Sequence, residues 1–229
     1  MSKIINGSGH TMFLMDDGTV KGCGGNNQGQ LGIGNTISPQ TSIVDIPISN
    51  VKDIICGANH TIFLMNDGTV KGCGSNNQGQ LGIGNITNQT SIVNIPISNV
   101  KNIACSSEHI IFLLNDGTVK GCGLNTSGQL GLGNNTDQKS IVNIPINNIK
   151  EVVCGGYYTM FLLNDGTVKG CGNNTNGQLG LGHNTSPKLS ILDIPDILFS
   201  PFWDIPMYEI KNGTFTLNSN TIIDIYLNS

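Results

Sequence analysis

The chain has 229 residues, of which 11% are charged, and its formal net charge is -4. All 11 basic side chains are lysine. Arginine carries the planar fork that suits phosphate and guanine, so a mildly acidic chain without it is a poor partner for nucleic acid. No run of 18 apolar residues is present to form a membrane-spanning helix, and the opening MSKIINGSGH lacks the apolar stretch of a secretory signal.

Four copies of one stretch organise the sequence. The clearest is residues 66–85, NDGTVKGCGSNNQGQLGIGN. Its aspartate recurs as Asp17, Asp67, Asp116 and Asp165, at steps of 50, 49 and 49 residues. A fixed period in this range predicts a repeat architecture, whose units bury apolar faces against each other.

The second copy shows the order of elements. Residues 51–57 (VKDIICG) are apolar and β-branched, which predicts a buried strand. Residues 60–65 (HTIFLM) predict a second strand, apolar at both parities and so buried on both faces, as in stacked blades. Asn66-Asp67-Gly68 predicts a tight turn, residues 69–73 (TVKGC) a third strand, and residues 74–85 a glycine-rich loop. Residues 90–95 (TSIVNI) predict a fourth strand, stopped by Pro96. Four short strands per period without helical periodicity give an all-β fold class, a β-propeller of four repeat-derived blades. Phe13, Phe63, Phe112 and Phe161 share one position, which is expected in the core between blades.

The pattern breaks near residue 196, dividing the chain into a propeller region (1–196) and a C-terminal β segment (197–229). The segment holds the only tryptophan, Trp203, a hairpin predicted around Asn212-Gly213, and a strand over residues 221–227. With residues 190–194 as an outer strand, it reads as a degenerate fifth blade, a cap, or a separate attachment module. Ring closure stays open between a small closed ring, an open arc, and part of a ring completed by another chain.

Residues 56–84, CGANHTIFLMNDGTVKGCGSNNQGQLGIG, resemble the repeat of the regulator of chromosome condensation family. That repeat runs through a CG-x-x-H strand, a DG turn, a V-x-x-x-G strand and a G-Q-L-G-x-G loop. The resemblance implies a β-propeller, in this family usually of seven blades. This chain departs from the family in two ways. Lys21, Lys71, Lys120 and Lys169 stand where aromatic residues are usual, and Cys23, Cys73, Cys122 and Cys171 where tryptophan is usual. It also has only four repeats.

The residue types that could carry chemistry read as structural. Seven cysteines locked to the period, without C-x-x-C spacing, fit buried reduced thiols rather than disulfides or a zinc site. The glycine-rich loop lacks G-x-G-x-x-G spacing and any G-K-[ST]; Gln80 is expected to tie it and Leu81 to plug the blade. His10, His60 and His109 share a position with Tyr158, which suits hydrogen bonding at a strand start better than metal. The repeated aspartates sit in Asp-Gly turns, where they bond their own backbone. The lysine row reads as a solvated strand edge, or as a site for an anionic partner.

These readings predict no catalytic residue, no cofactor and no metal. They predict a non-catalytic binding or scaffold propeller whose partner is a protein or a surface glycan. The resemblance allows a phage-tail or cell-surface module of a bacterial or phage chain, cytoplasmic or virion-associated. Its alternative is exchange-factor action on a small GTPase, which the family links to an inter-strand insertion and a basic tail. A hydrolase or lectin-like propeller is a third class, opposed by the scarcity of aromatic residues. The copies differ most in the loops that begin at Asn35, Asn85, Asn134 and His183, and in the turns GSGH, GANH, SSEH and GGYY. These are the candidate partner-binding positions, because binding residues gather in loops.

Overall fold

The computed structural model describes residues 1–195, and those residues contain only β-strands, turns and loops. Four antiparallel sheets of four strands follow each other along the chain. The first is β1 (Lys3–Asn6), β2 (His10–Leu14), β3 (Val20–Gly24) and β4 (Gln40–Ile46). The second is β5 (Val51–Cys56), β6 (His60–Met65), β7 (Val70–Gly74) and β8 (Gln89–Ile95). The third is β9 (Val100–Cys105), β10 (His109–Leu114), β11 (Val119–Gly123) and β12 (Gln138–Asn143). The fourth is β13 (Ile149–Cys154), β14 (Tyr158–Leu163), β15 (Val168–Gly172) and β16 (Lys188–Asp193). Each sheet is an up-and-down meander, so each is a propeller blade, as the repeat predicts. The predictions for residues 197–229 lie outside the described residues. Residues 190–194 do not start a fifth blade, because β16 pairs with β15 as the outer strand of the fourth.

The Asp-Gly turn shows how local chemistry sets the blade. Gly68 takes a φ of +79°, a conformation that costs other residues energy, and its N–H donates to the Met65 carbonyl. Asp67 accepts the backbone N–H of Thr69 at 2.9 Å and its hydroxyl at 2.6 Å. The carboxylate is thereby held below its ordinary pKa, first by the Thr69 hydroxyl and then by the N–H. Asp17 and Asp165 do the same with Thr19 and Thr167, and Asp116 accepts the Thr118 N–H, so the four aspartates are turn residues.

Three apolar seams hold the blades side by side. Met12, Leu14, Val20 and Leu31 of the first blade meet Val51, Ile54, Phe63 and Cys73 of the second. Ile62, Leu64 and Leu81 meet Ile103, Phe112 and Cys122 in the next seam, and Ile111, Leu113 and Leu130 meet Val152, Phe161 and Cys171 in the third. Every side chain of β6 and β10 is buried, because each lies between two blades. In β2 and β14 burial alternates, because among the described residues one face of each has no neighbouring blade. The four blades thus form an open arc among the described residues.

The lysine row departs from expectation. Lys71 lies opposite Phe63 on one side and Asn94 on the other, within the third of four strands. It is not at a sheet edge; the outer edge is the fourth strand. Lys169 pairs across that boundary with Asp193 at 2.6 Å, and Lys21 likewise with Asp45, while Asn94 and Asn143 replace the acid in the middle blades.

Candidate functional site

Antiparallel order places the two variable stretches of each repeat together. The turn between the first and second strands and the loop between the third and fourth lie at the same end of a blade, the upper face here. His60 opposes Gly74, Gly74 opposes Gln89, and the Ser75 N–H donates to the Asn59 carbonyl at 2.8 Å. The Asp-Gly turns and the Ile-Pro-Ile links between blades lie on the opposite, lower face.

The long upper loops are built around an asparagine that sequence reasoning passed over. Asn76 is fully buried; its Nδ2 donates to the carbonyls of Asn85 and Thr87, and its Oδ1 accepts the Leu81 N–H. Asn26, Asn125 and Asn174 repeat this pattern. The signal was present in the invariance of this Asn across all four copies. Gln80 accepts the Gln78 N–H, and Leu81 is fully buried, so the glutamine tie and the leucine plug are both found.

The predicted loop positions are exposed or half-exposed, and part of their polarity is spent inside the loop. Asn35, Asn85 and Asn134 each accept a backbone N–H two residues on, from Ile37, Thr87 and Thr136, through Oδ1. The His183 Nδ1 accepts the Thr185 N–H at 3.2 Å. Further along, Ser38, Asn88, Asp137 and Ser186 vary in identity but each supplies a side-chain oxygen to the N–H of the buried asparagine. The outward variation is therefore concentrated at Thr36-Ile37, Ile86-Thr87, Asn135-Thr136 and Asn184-Thr185. Ile37 and Ile86 are 68% and 60% exposed there, and Tyr157, in the fourth blade's turn, is an exposed aromatic.

His10, His60 and His109 lie in the seams. The Thr61 hydroxyl donates to the Gln30 carbonyl, so its oxygen accepts from His10 Nε2–H at 2.9 Å. The same relay joins His109 to Thr159 and the Gln129 carbonyl. His60 Nε2 meets the Cys105 sulfur at 3.1 Å. Ser106 also contacts His109 Nδ1 at 2.7 Å; in the first two blades Gly7 and Gly57 stand there and leave the buried Nδ1 of His10 and His60 without a partner. Burial lowers His10 to about 4, and His60 and His109 to about 3. These rings are neutral joints between blades.

All seven cysteines are free thiols. Burial pushes Cys56, Cys154 and Cys171 up to about 12 and raises Cys73, Cys105 and Cys122 well above the ordinary thiol value. Buried protonated thiols of this kind are inert. Protein denatured without reductant is expected to take up seven equivalents of a thiol reagent. A shortfall of two would show a disulfide.

Side-by-side four-stranded blades, with buried seams and with the repeats' variation gathered on one face, define a propeller-type binding module. The sequence profile of the RCC1-like domain matches residues 1–215, and the chain belongs to that family. Among solved structures, human WBSCR16 is similar at 24% identity with a TM-score of 0.72, over 82% of this chain and 50% of that one. Yeast RCC1 (Prp20) bound to Kap60 is similar at 21% identity and a TM-score of 0.76, over 84% and 48%. Prp20p from Saccharomyces cerevisiae gives 20% and 0.75, over 84% and 50%. The chain thus spans about half the length of these structures, and at such identities the likeness is one of fold. No curated protein matches the chain. Among the described residues, no helix is long and apolar enough to cross a membrane.

Proposed function

We propose that this chain is a non-catalytic recognition propeller that binds a protein or surface glycan through its upper face. The observation that carries this reading is the convergence of both variable stretches of every repeat on one face, while the constant positions serve turns and seams. The exposed isoleucines Ile37 and Ile86, the neighbouring polar loop residues and Tyr157 offer mixed apolar and hydrogen-bonding contact. Repetition along the arc adds weak contacts from successive blades. The fold relatives support a protein partner: yeast RCC1 was crystallised bound to Kap60, and Prp20p is described with binding properties to Gsp1p and histones. A phage-tail or cell-surface setting, cytoplasmic or virion-associated, is the one the family resemblance suggests. Exchange-factor action on a small GTPase is less well supported, because the described blades share one strand plan without an inter-strand insertion.

The test replaces the loops at 134–138 and 183–188 with residues 85–89 and measures binding to candidates recovered from a lysate and from a glycan array. Loss of binding with unchanged thermal stability is the expected result. Binding that survives the replacement would remove the upper loops, Asn35, Asn85, Asn134 and His183 included, from the recognition surface. A nucleotide-release assay on any GTPase recovered decides between the two readings.

A further inference from the structure

The three seams share one plan, and the middle one lacks its polar relay. In the first seam the Thr61 hydroxyl stands between His10 Nε2 and the Gln30 carbonyl, at 2.9 and 2.7 Å. In the third, Thr159 stands likewise between His109 and the Gln129 carbonyl, at 2.9 and 2.7 Å. The third blade has Ile110 at this position. It lies between Cys105 and Cys122 in register, as Thr61 lies between Cys56 and Cys73. Ile110 is fully buried and offers no hydroxyl. His60 meets the Cys105 sulfur instead, at 3.1 Å, and sulfur is a weak hydrogen-bonding group. The Gln80 carbonyl accepts from the Cys122 thiol at 3.3 Å, and no threonine joins it.

The loss is one-sided. Replacing both partners of a buried hydrogen bond by apolar groups is nearly neutral, but leaving one of them in place incurs its desolvation. Here the imidazole stays. His60 Nδ1 is also buried without a partner, because Gly57 stands where Ser106 meets the ring of His109. The first seam shares that gap at His10 Nδ1 but has further ties. Lys3 pairs with Asp53 at 2.6 Å, the Ser8 N–H donates to the Ala58 carbonyl at 3.2 Å, and the Asn88 amide donates to Gln28. In the middle seam Asn102 takes the place of Asp53. The backbones follow: β2 runs close to β5 and β10 close to β13, whereas β6 stands further from β9. The middle seam keeps polar contacts at its margins. The Val100 N–H donates to the Gly68 carbonyl at 3.2 Å on the lower face, and Ile83 bridges Ser140 on the outer strand.

We propose that the middle seam is a hinge, opening at its upper end between the second and third blades while these margins hold. The first and second blades then move as one body and the third and fourth as another. The upper loops of one pair shift against those of the other. Apolar contact among Ile62, Leu81, Ile103 and Phe112 keeps the opening local. The comparison is between seams inside the described blades and needs nothing of what lies beyond either end of them. It uses no binding measurement, so it stands or falls apart from the recognition reading.

The test is the rate at which each seam admits a thiol reagent. Cys73, Cys122 and Cys171 are completely buried in the first, middle and third seams, each within the same local sequence, Lys-Gly-Cys-Gly. Their reactivity once exposed is therefore alike, and their rates compare the openings. Cleavage after lysine leaves each on its own peptide for mass spectrometry. In the folded full chain under N-ethylmaleimide, Cys122 is expected to react about tenfold faster than Cys73 and Cys171, the effect of one buried hydrogen bond. Ile110→Thr restores the hydroxyl and is expected to bring Cys122 down to the rate of the other two. Thr61→Ile makes the first seam like the middle one and is expected to speed Cys73. Three equal rates in the wild type, or a Cys73 or Cys171 faster than Cys122, overturn the proposal without any variant having to fold. So does Cys122 labelling that Ile110→Thr leaves unchanged.

Discussion

Acidification from pH 7 to pH 5 is expected to destabilise the propeller by on the order of 5 kcal/mol, before its carboxylates protonate. The cause is three buried neutral histidines. His10, His60 and His109 ionise at about 4, 3 and 3 in the folded chain, against 6.5 when unfolded. Below pH 6.5 the unfolded chain therefore binds more protons than the folded one. The stability these rings contribute is complete above that value and is lost as pH falls toward the folded values. Each ring costs about 1.4 kcal/mol per pH unit in that window, so three give about 2 kcal/mol apiece at pH 5. The turn aspartates, whose folded pKa values lie below 3.8, stay ionised there. Urea midpoints measured across this range check the expectation. Replacing His10 and His109 with glutamine, which keeps an N–H for Thr61 and Thr159, should flatten the dependence. A wild-type midpoint that does not move between pH 7 and pH 5 would falsify the seam role of these rings.

Phe63→Ala is expected to cost about 3–5 kcal/mol, the range for removing a fully buried aromatic from a packed core. Phe63 is completely buried in the first seam, beside Met12, Leu14 and Ile54. The cavity would open in the middle of the cluster that joins the first two sheets, so the loss should be felt across the whole seam. Phe13→Ala, at the equivalent but only half-buried position of the first blade, should cost only about 1–2 kcal/mol, since less area leaves water there. Chemical denaturation of both variants compares them. Equal losses would mean that the first blade's outer face is as well covered as the inner seams.

Much of the local structure was legible in the sequence. The period, the second strand at residues 60–65, the Asp-Gly turn closed by Thr69, the glutamine tie and the leucine plug all follow from residue types whose preferences act over a few positions. The recurrence of phenylalanine at a fixed step placed Phe63, Phe112 and Phe161 in the core correctly, but not Phe13, which is only half-buried in the first blade.

The rest depended on neighbours that sequence spacing does not show. A lysine on the third strand reads like one on an edge until the fourth strand is seen pairing beside it. Asn76 looks like one more loop asparagine until its amide is found closing a loop nine residues long on Asn85. Four nearly identical repeats also give no sign of which blades lie inside the arc. Ile4 and Ile54 occupy the same position in the repeat, yet one faces solvent and the other is sealed in a seam. Burial belongs to the pair of blades rather than to either one, and only the tertiary structure decides which blades have a partner.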